Sequence, residues 1–283
     1  MNDTGTGYSP TIRKRTLARK LVQLRQDRKL TTTDVQRRLG WSATKLNWIE
    51  KAKWIEPVTD QVTDLCELYG VEGAERDALI TLARQGRDRG WWGKYSDVFG
   101  REELPGWEAG ASHIRTFEPA FIPGLLQVPG YIELITRAAG IDDPAEIKRH
   151  TEARLRRQDI LTRERNPCRL HAVIDENTVA RITDPGIRRD QLGHLLKAAG
   201  RPNVEIQLLP FTAGVYPVPG EVFSYLSYPG TDERDIVYLE SAVDDRMLEE
   251  YDELERYRLK FDKLRAAALT PKDTRAYLKQ QIG

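Results

Sequence analysis

Apolar positions recur at helical spacing through the first part of this chain and at mixed spacing through the rest. Leu17, Leu21 and Leu24 stand at i, i+4 and i+7, which predicts a first helix from Thr11 to Lys29. Between Thr31 and Lys53 the pattern predicts two short helices meeting at a glycine. Thr32 or Thr33 offers a hydroxyl to cap the first, Val35 and Leu39 share its inner face, and Gly40 ends it where a left-handed residue is easiest. Ser42 caps the second, whose Leu46 and Ile49 lie three apart on one face. A fourth helix starts near Pro57, a residue suited to a first helical position, carries Val58, Val62, Leu65 and Leu68, and stops at Gly70. A fifth runs roughly from Gly73 to Gln85, turning Ala78, Leu79, Leu82 and Ala83 to the same core.

Glycines and aromatics then break the helical pattern. The stretch from Arg84 to Gly100 holds Trp91, Trp92, Tyr95 and Phe99 and reads as a connector whose rings pack on one domain or the other; base stacking is the other use open to them. Ile114–Phe117 alternates as a strand. Pro129 starts a helix, and Asp143-Pro144-x-Glu146 starts another. A strand at Arg169–Ile174 leads into a helix around Glu176–Arg181, and a further helix covers Asp190–Ala199. Three strand signals follow at 204–209, 223–228 and 235–240, then a long helix from about Leu248 to Ala268 and a last one opened by Thr270-Pro271-x-Asp273. The predicted organisation is a tail (1–10), an α domain of five helices with a helix-turn-helix (11–88), a connector (89–108), and an α+β domain with a small, mostly antiparallel sheet (109–283).

Charge sharpens this picture. Overall the chain is nearly neutral at +1, but residues 10–53 carry 13 Lys and Arg against three acids, Asp27, Asp34 and Glu50. Two helices about a glycine turn, set in a cationic segment, describe a helix-turn-helix whose second helix enters the major groove of DNA while Lys and Arg neutralise phosphates. Thr44, Lys45, Asn47 and Trp48 are the candidates for groove contacts, with Asn47 suited to an adenine edge. Thr33, Gln36, Arg37 and Lys51 are the phosphate candidates, and Ser42 opens the reading helix. Arg13, Lys14, Arg15, Arg19 and Lys20 crowd the first helix, and some of them are expected to reach the DNA backbone.

Other chemistries lack their signatures. His113, His150, His171 and His194 make no H-E-x-x-H pattern, and Cys66 and Cys168 stand far apart in apolar contexts, so neither a metal site nor a disulfide framework is expected. P-loop, G-x-G-x-x-G and G-x-S-x-G motifs are absent, no catalytic residue is assigned and no cofactor is expected. His171 with Asp175 and Glu176 is the one acid–base grouping, and Glu176 reads better as the start of a helix. With no long apolar run and no apolar leader, a cytoplasmic location is expected.

The run LGWSATKLNWIEKAKWIEP, followed by VTDLCELYGV, resembles the Cro/repressor-like (xenobiotic-response-element type) helix-turn-helix family. Three positions depart from the patterns: Ala52 stands where that family usually has a glycine, Trp48 where Arg or another polar residue is commoner, and Val128 where the second family below tends to have a capping Thr. The segments FEPAFIPGLLQVPGYIELI, VIDENTVAR, NVEIQLLPFTAGVYPVPGEVFSYLSYP and YRLKFDKLRAAALTPKDTRAYL resemble a domain of unknown function. That domain follows such helix-turn-helices in actinobacterial regulators of the WhiJ-like, Scr-type antitoxin-like group. The resemblance implies a regulator whose gene neighbours that of a small partner protein, bound by the C-terminal domain.

Together these readings describe a homodimeric transcriptional regulator on a two-fold DNA operator, without catalytic activity. A small-molecule sensor is the alternative for the C-terminal domain, and an enzyme fused to a DNA-targeting module is the third. Tyr216, Phe223, Tyr225 and Tyr228 are the candidates for partner or ligand contact. A closed pocket would favour a ligand, and an exposed apolar patch a protein partner.

Overall fold

Five helices account for the first unit of the chain, Ser9–Lys94, in the computed structural model, which describes residues 9–54, 56, 58–88, 90–99, 104–216, 218, 221–230, 233–240 and 245–282. They are α1 (Pro10–Asp27), α2 (Thr32–Leu39), α3 (Ala43–Glu50), α4 (Thr59–Tyr69) and α5 (Gly73–Gly86). Their inner faces meet in one core containing Leu17, Leu21, Val35, Leu46, Ile49, Trp54, Leu65, Tyr69 and Leu79. The first turn of α2 is tied by a capping box: Thr31, one residue before the expected caps, accepts from the Asp34 amide at 3.1 Å, and Asp34 Oδ2 accepts from the Thr31 amide at 3.0 Å. Gly40 ends α2 at φ 65° and Ser42 Oγ accepts from the Lys45 amide at 3.3 Å, as the spacing predicts. The expected start of α4 at Pro57 lies outside the described residues.

Two helix ends place non-glycine residues in the left-handed region. At the end of α3 the Lys53 amide donates to the Trp48 carbonyl (2.9 Å) and the Ala52 amide to Ile49 (3.1 Å), with Ala52 at φ 55°. Ala52 therefore adopts the conformation for which a glycine is the easy choice. Lys29, at φ 54°, closes α1 with the same pair of bonds.

The second unit holds every described residue from Tyr95 onward. Its helices are α6 (Ser96–Phe99), α7 (Leu104–Gly110), α8 (Pro129–Ala138), α9 (Pro144–Arg157), α10 (Glu176–Ala180), α11 (Pro185–Ala198), α12 (Tyr251–Ala267) and α13 (Pro271–Ile282). Its strands are β1 (His113–Glu118), β2 (Arg169–Asp175), β3 (Val204–Leu209), β4 (Phe223–Ser227), β5 (Ile236–Leu239) and β6 (Arg246–Leu248). They form one mixed sheet in the order β3-β2-β1-β4-β5-β6. The β1–β2 and β2–β3 pairs are parallel; β1–β4, β4–β5 and β5–β6 are antiparallel.

This is an α+β domain, but its sheet of six strands is larger than expected and its first half is parallel. The reason is connectivity. Helices α8 and α9 lie between β1 and β2, and α10 and α11 between β2 and β3, and crossovers of that length return a strand in the same direction. Strand β6 is three residues long, too short for a period to show in the sequence. Helix α11 starts earlier than expected because Asp184, ahead of Pro185, accepts from the Ile187 amide (2.8 Å) and caps it.

Residues alternate between the two sheet faces. One face turns Phe117, Val173, Phe223, Tyr225 and Val237 into a core closed by Tyr257, Phe261 and Leu264 of α12. The other turns Ile114, Thr116, Glu118, Ser224 and Tyr238 toward a cavity also lined by residues of α8 and α9. At the start of α8 the Val128 amide is capped not by its own side chain but by Gln191 Oε1 (2.9 Å), from fully buried Gln191 of α11.

Candidate functional site

Helix α3 has two unlike sides. Leu46 and Ile49 are buried, whereas Thr44, Asn47, Trp48 and Lys51 are exposed. The latter four are spaced i, i+3, i+4 and i+7 and share one face. Trp48 is 45% exposed, a large apolar surface left in the open on an otherwise polar helix face. Lys45 is half-buried, with Nζ 4.3 Å from the centre of the Trp41 ring, which holds the ammonium beside the turn. Ser42 is occupied as the cap of α3.

On α2, Thr33 and Arg37 are exposed and Gln36 is half-buried. Arg37 Nη2 lies 3.2 Å from Asp34 Oδ1 on the same helix, an exposed pair that solvent screens. On α1 the expectation of phosphate contacts divides. Lys14 Nζ donates to the Trp54 carbonyl (2.8 Å) and Arg15 is 8% exposed, so these two serve the fold.

What orients α3 is a pair that sequence reading did not single out. Arg25 of α1 meets Glu50 at the end of α3 through two bonds, Nε–Oε1 at 2.6 Å and Nη2–Oε2 at 3.0 Å, and its Nη1 donates to the Leu30 carbonyl at 3.0 Å. The hydrogen bond to Glu50 raises the Arg25 pKa above its ordinary value. The forked geometry fixes the direction as well as the distance between α1 and α3. The available signal was the isoleucine–glutamate pair, Ile49-Glu50, which places a carboxylate beside an inward apolar residue.

In the second unit the four aromatic candidates face inward. Phe223, Tyr225 and Tyr228 are buried and Tyr216 is half-buried, its ring edge-on to Phe117 with centroids 5.6 Å apart. Burial, then Asp235, pushes the Tyr225 hydroxyl up to about 12. The connector aromatics Tyr95 and Phe99 pack edge-on to each other at 6.5 Å, with the Arg149 guanidinium 5.0 Å from the Tyr95 ring. Arg149 also pairs with Asp97.

The cavity behind the sheet holds about 310 Å³. Burial pushes the Glu118 carboxyl in its wall up to about 8, with the Glu240 charge as the second cause. Arg157, also in the wall, forms a bidentate pair with buried Glu108 at 2.9 and 2.8 Å. A larger cleft of about 890 Å³ runs beside β3, where Arg169, Arg265, Lys272 and Arg275 are all solvent-exposed. His171, next to Glu205 at 3.3 Å, is held below its ordinary pKa by burial. Among the described residues no group of three or more His, Cys, Asp or Glu side chains is arranged to hold a metal ion, and no helix is long and apolar enough to cross a membrane.

Residues 16–79 match the family model of a helix-turn-helix domain, and residues 102–280, more than half of the chain, match the model described as a domain of unknown function (DUF5753). No curated protein and no solved structure matches the chain. With α2 and α3 inside the first match and the whole mixed sheet inside the second, the chain belongs to the family of the domain of unknown function (DUF5753), as a DNA-binding regulator with an N-terminal helix-turn-helix of the Cro/repressor-like type.

Proposed function

We propose that this chain binds a specific operator in double-stranded DNA as a homodimer, one α3 helix in the major groove of each half-site, and that its C-terminal domain receives the controlling signal. The observation that carries the reading is the outer face of α3: Thr44, Asn47, Trp48 and Lys51 are exposed on one side of a capped helix that Leu46 and Ile49 anchor, within a segment of net charge +10. Thr44, Lys45, Asn47 and Trp48 read the groove, and Thr33, Gln36, Arg37 and Lys51 meet phosphates, with residues 11–88 as the reading domain and 109–283 as the control domain. Both act in the cytoplasm, on the nucleoid.

Binding measured on specific and random duplexes over a salt series tests this. Asn47→Ala is expected to cost about 1–3 kcal/mol on the operator alone. Arg37→Ala is expected to weaken all sequences alike and to reduce the salt slope by about one. Identical behaviour of the two variants on both duplexes would remove α3 as the reading helix.

Two readings of the control domain remain. The family resemblance supports a small partner protein encoded nearby, in antitoxin-like control; co-purification of the chain with the product of its neighbouring gene tests that. The cavity behind the sheet supports a small-molecule signal, because it is concave and lined by both apolar and polar groups. The inward packing of Phe223, Tyr225 and Tyr228 leaves those rings no flat surface to offer a partner.

A further inference from the structure

The cavity in the second unit carries more chemical information than its size. Its apolar wall includes Phe99, Phe121, Ile135 and Ile141, and Phe121 is 52% exposed although it is a large apolar ring. Among the described residues its charged lining comprises three carboxylates, Glu108, Glu118 and Glu240, and two guanidiniums, Arg154 and Arg157. Arg157 is spent on Glu108 through their bidentate pair. The charges of Arg157 and Arg154 both act on Glu118, and Arg154 Nη1 donates to Gln127 Oε1 at 3.4 Å. His150 adds no charge near neutral pH, since burial lowers its pKa. Near neutral pH the Glu118 carboxyl keeps its proton beside Glu240, and that proton is what a bound cation can displace.

A second observation points the same way. Thr136 of α8 lines the cavity, is 3% exposed, and its Oγ1 has no hydrogen-bond partner. Buried hydroxyls are almost always bonded, because an unmet one costs free energy. No described residue donates a hydrogen bond to the Glu118 carboxylate either, and the negative charge of Glu240 is among the causes that keep its proton on. Both groups are ready to accept a donor from a guest.

We propose that this cavity is the binding site for a small organic cation, a protonated amine or guanidinium on an apolar body, whose charged head sits between Glu118 and Glu240 and whose body lies against Phe99, Phe121 and Ile135. The assignment rests on the small-molecule reading of the control domain. A volume of about 310 Å³ restricts the guest to the small end of the range for ligand cavities. The bound cation takes the place of the Glu118 proton, and Thr136 Oγ1 gains a partner for a polar group on the body.

The test is calorimetric titration of the full chain with phenethylamine, tyramine and agmatine, beside 2-phenylethanol and phenylacetate as neutral and anionic counterparts of the first. Saturable one-to-one binding of at least one amine is expected, with 2-phenylethanol and phenylacetate at least about tenfold weaker than phenethylamine if that is the amine bound. Glu118→Gln should weaken the bound amine about 10- to 100-fold, the effect of one charge-assisted hydrogen bond. Glu205→Gln, an exposed carboxylate on β3, should leave it unchanged. Thermal melting of unliganded Glu118→Gln at or above the wild-type temperature establishes that the variant is folded. Failure of all three amines to bind, equal binding of 2-phenylethanol and phenethylamine, or wild-type affinity in Glu118→Gln would each overturn the site. Operator affinity is measured separately: an amine that binds the cavity yet leaves DNA affinity unchanged upholds the site and removes the small-molecule reading of control.

Discussion

Replacing Glu50 tests the device that orients α3. Its carboxylate is 9% exposed and the Arg25 side chain 13%, and the two share a bidentate contact of 2.6 and 3.0 Å between α1 and the last residue of α3. Glu50→Leu leaves a guanidinium with one remaining bond, to the Leu30 carbonyl, in a nearly dry site. Stranding one member of a buried pair costs about 3–5 kcal/mol. The residual exposure and the Leu30 bond place the expected loss at the low end, about 3 kcal/mol. A unit of this size is worth roughly 5–10 kcal/mol in all, so the melting temperature should fall by about 12–24 °C at 4–8 °C per kcal/mol. Hydrogen exchange of α1 and α3 peptides at increasing urea reads the loss in this unit rather than in the whole chain. The double variant Arg25→Met, Glu50→Leu should recover most of it, because two apolar partners leave no charge uncompensated. A loss below about 1 kcal/mol for Glu50→Leu, the range of an exposed pair, or no recovery in the double variant, would refute the account.

Ala52→Gly should stabilise the same unit by about 0.5–1 kcal/mol: relief of left-handed strain worth about 1–2 kcal/mol, less the greater freedom of glycine in the unfolded chain. A lower urea midpoint than wild type would count against that strain. In the second unit, Glu118 has its pKa raised from 4.5 to about 8, so its contribution to stability is complete below about pH 4.5 and disappears as pH rises through about 8. His113, lowered from 6.5 to about 4 by burial, acts in the other direction, contributing above pH 6.5 and losing that as pH falls through about 4. The difference between wild type and Glu118→Gln in pH-dependent thermal unfolding isolates the first effect. It should grow in favour of the variant from pH 5 to pH 8, and a flat difference would contradict the burial of the charge.

The elements themselves were largely legible in the sequence, because each signal is local. Asp143-Pro144 predicts the start of α9 since a side-chain oxygen and a ring-locked φ act within one turn, and Asp143 Oδ1 does accept from the Ala145 and Glu146 amides. Gly40 and Ser42 fix the turn between α2 and α3 for the same reason, and the period of Leu46 and Ile49 decides which side of α3 faces outward. What sequence could not decide lies between residues far apart in the chain. Strand order and direction depend on how β1 finds both β2 and β4, more than fifty and one hundred residues away, and period-2 alternation is the same in a parallel and an antiparallel neighbour. Alternation likewise left open whether Phe223 and Tyr225 lie on a surface or under α12, since the sheet face they share becomes core only when Tyr257 and Phe261 are laid over it. The pairing of Arg25 with Glu50, and the gathering of Glu118, Thr136, Arg154 and Glu240 around one cavity, are likewise matters of tertiary packing: each charge or hydroxyl reads as an ordinary polar residue until burial removes the water that would otherwise satisfy it.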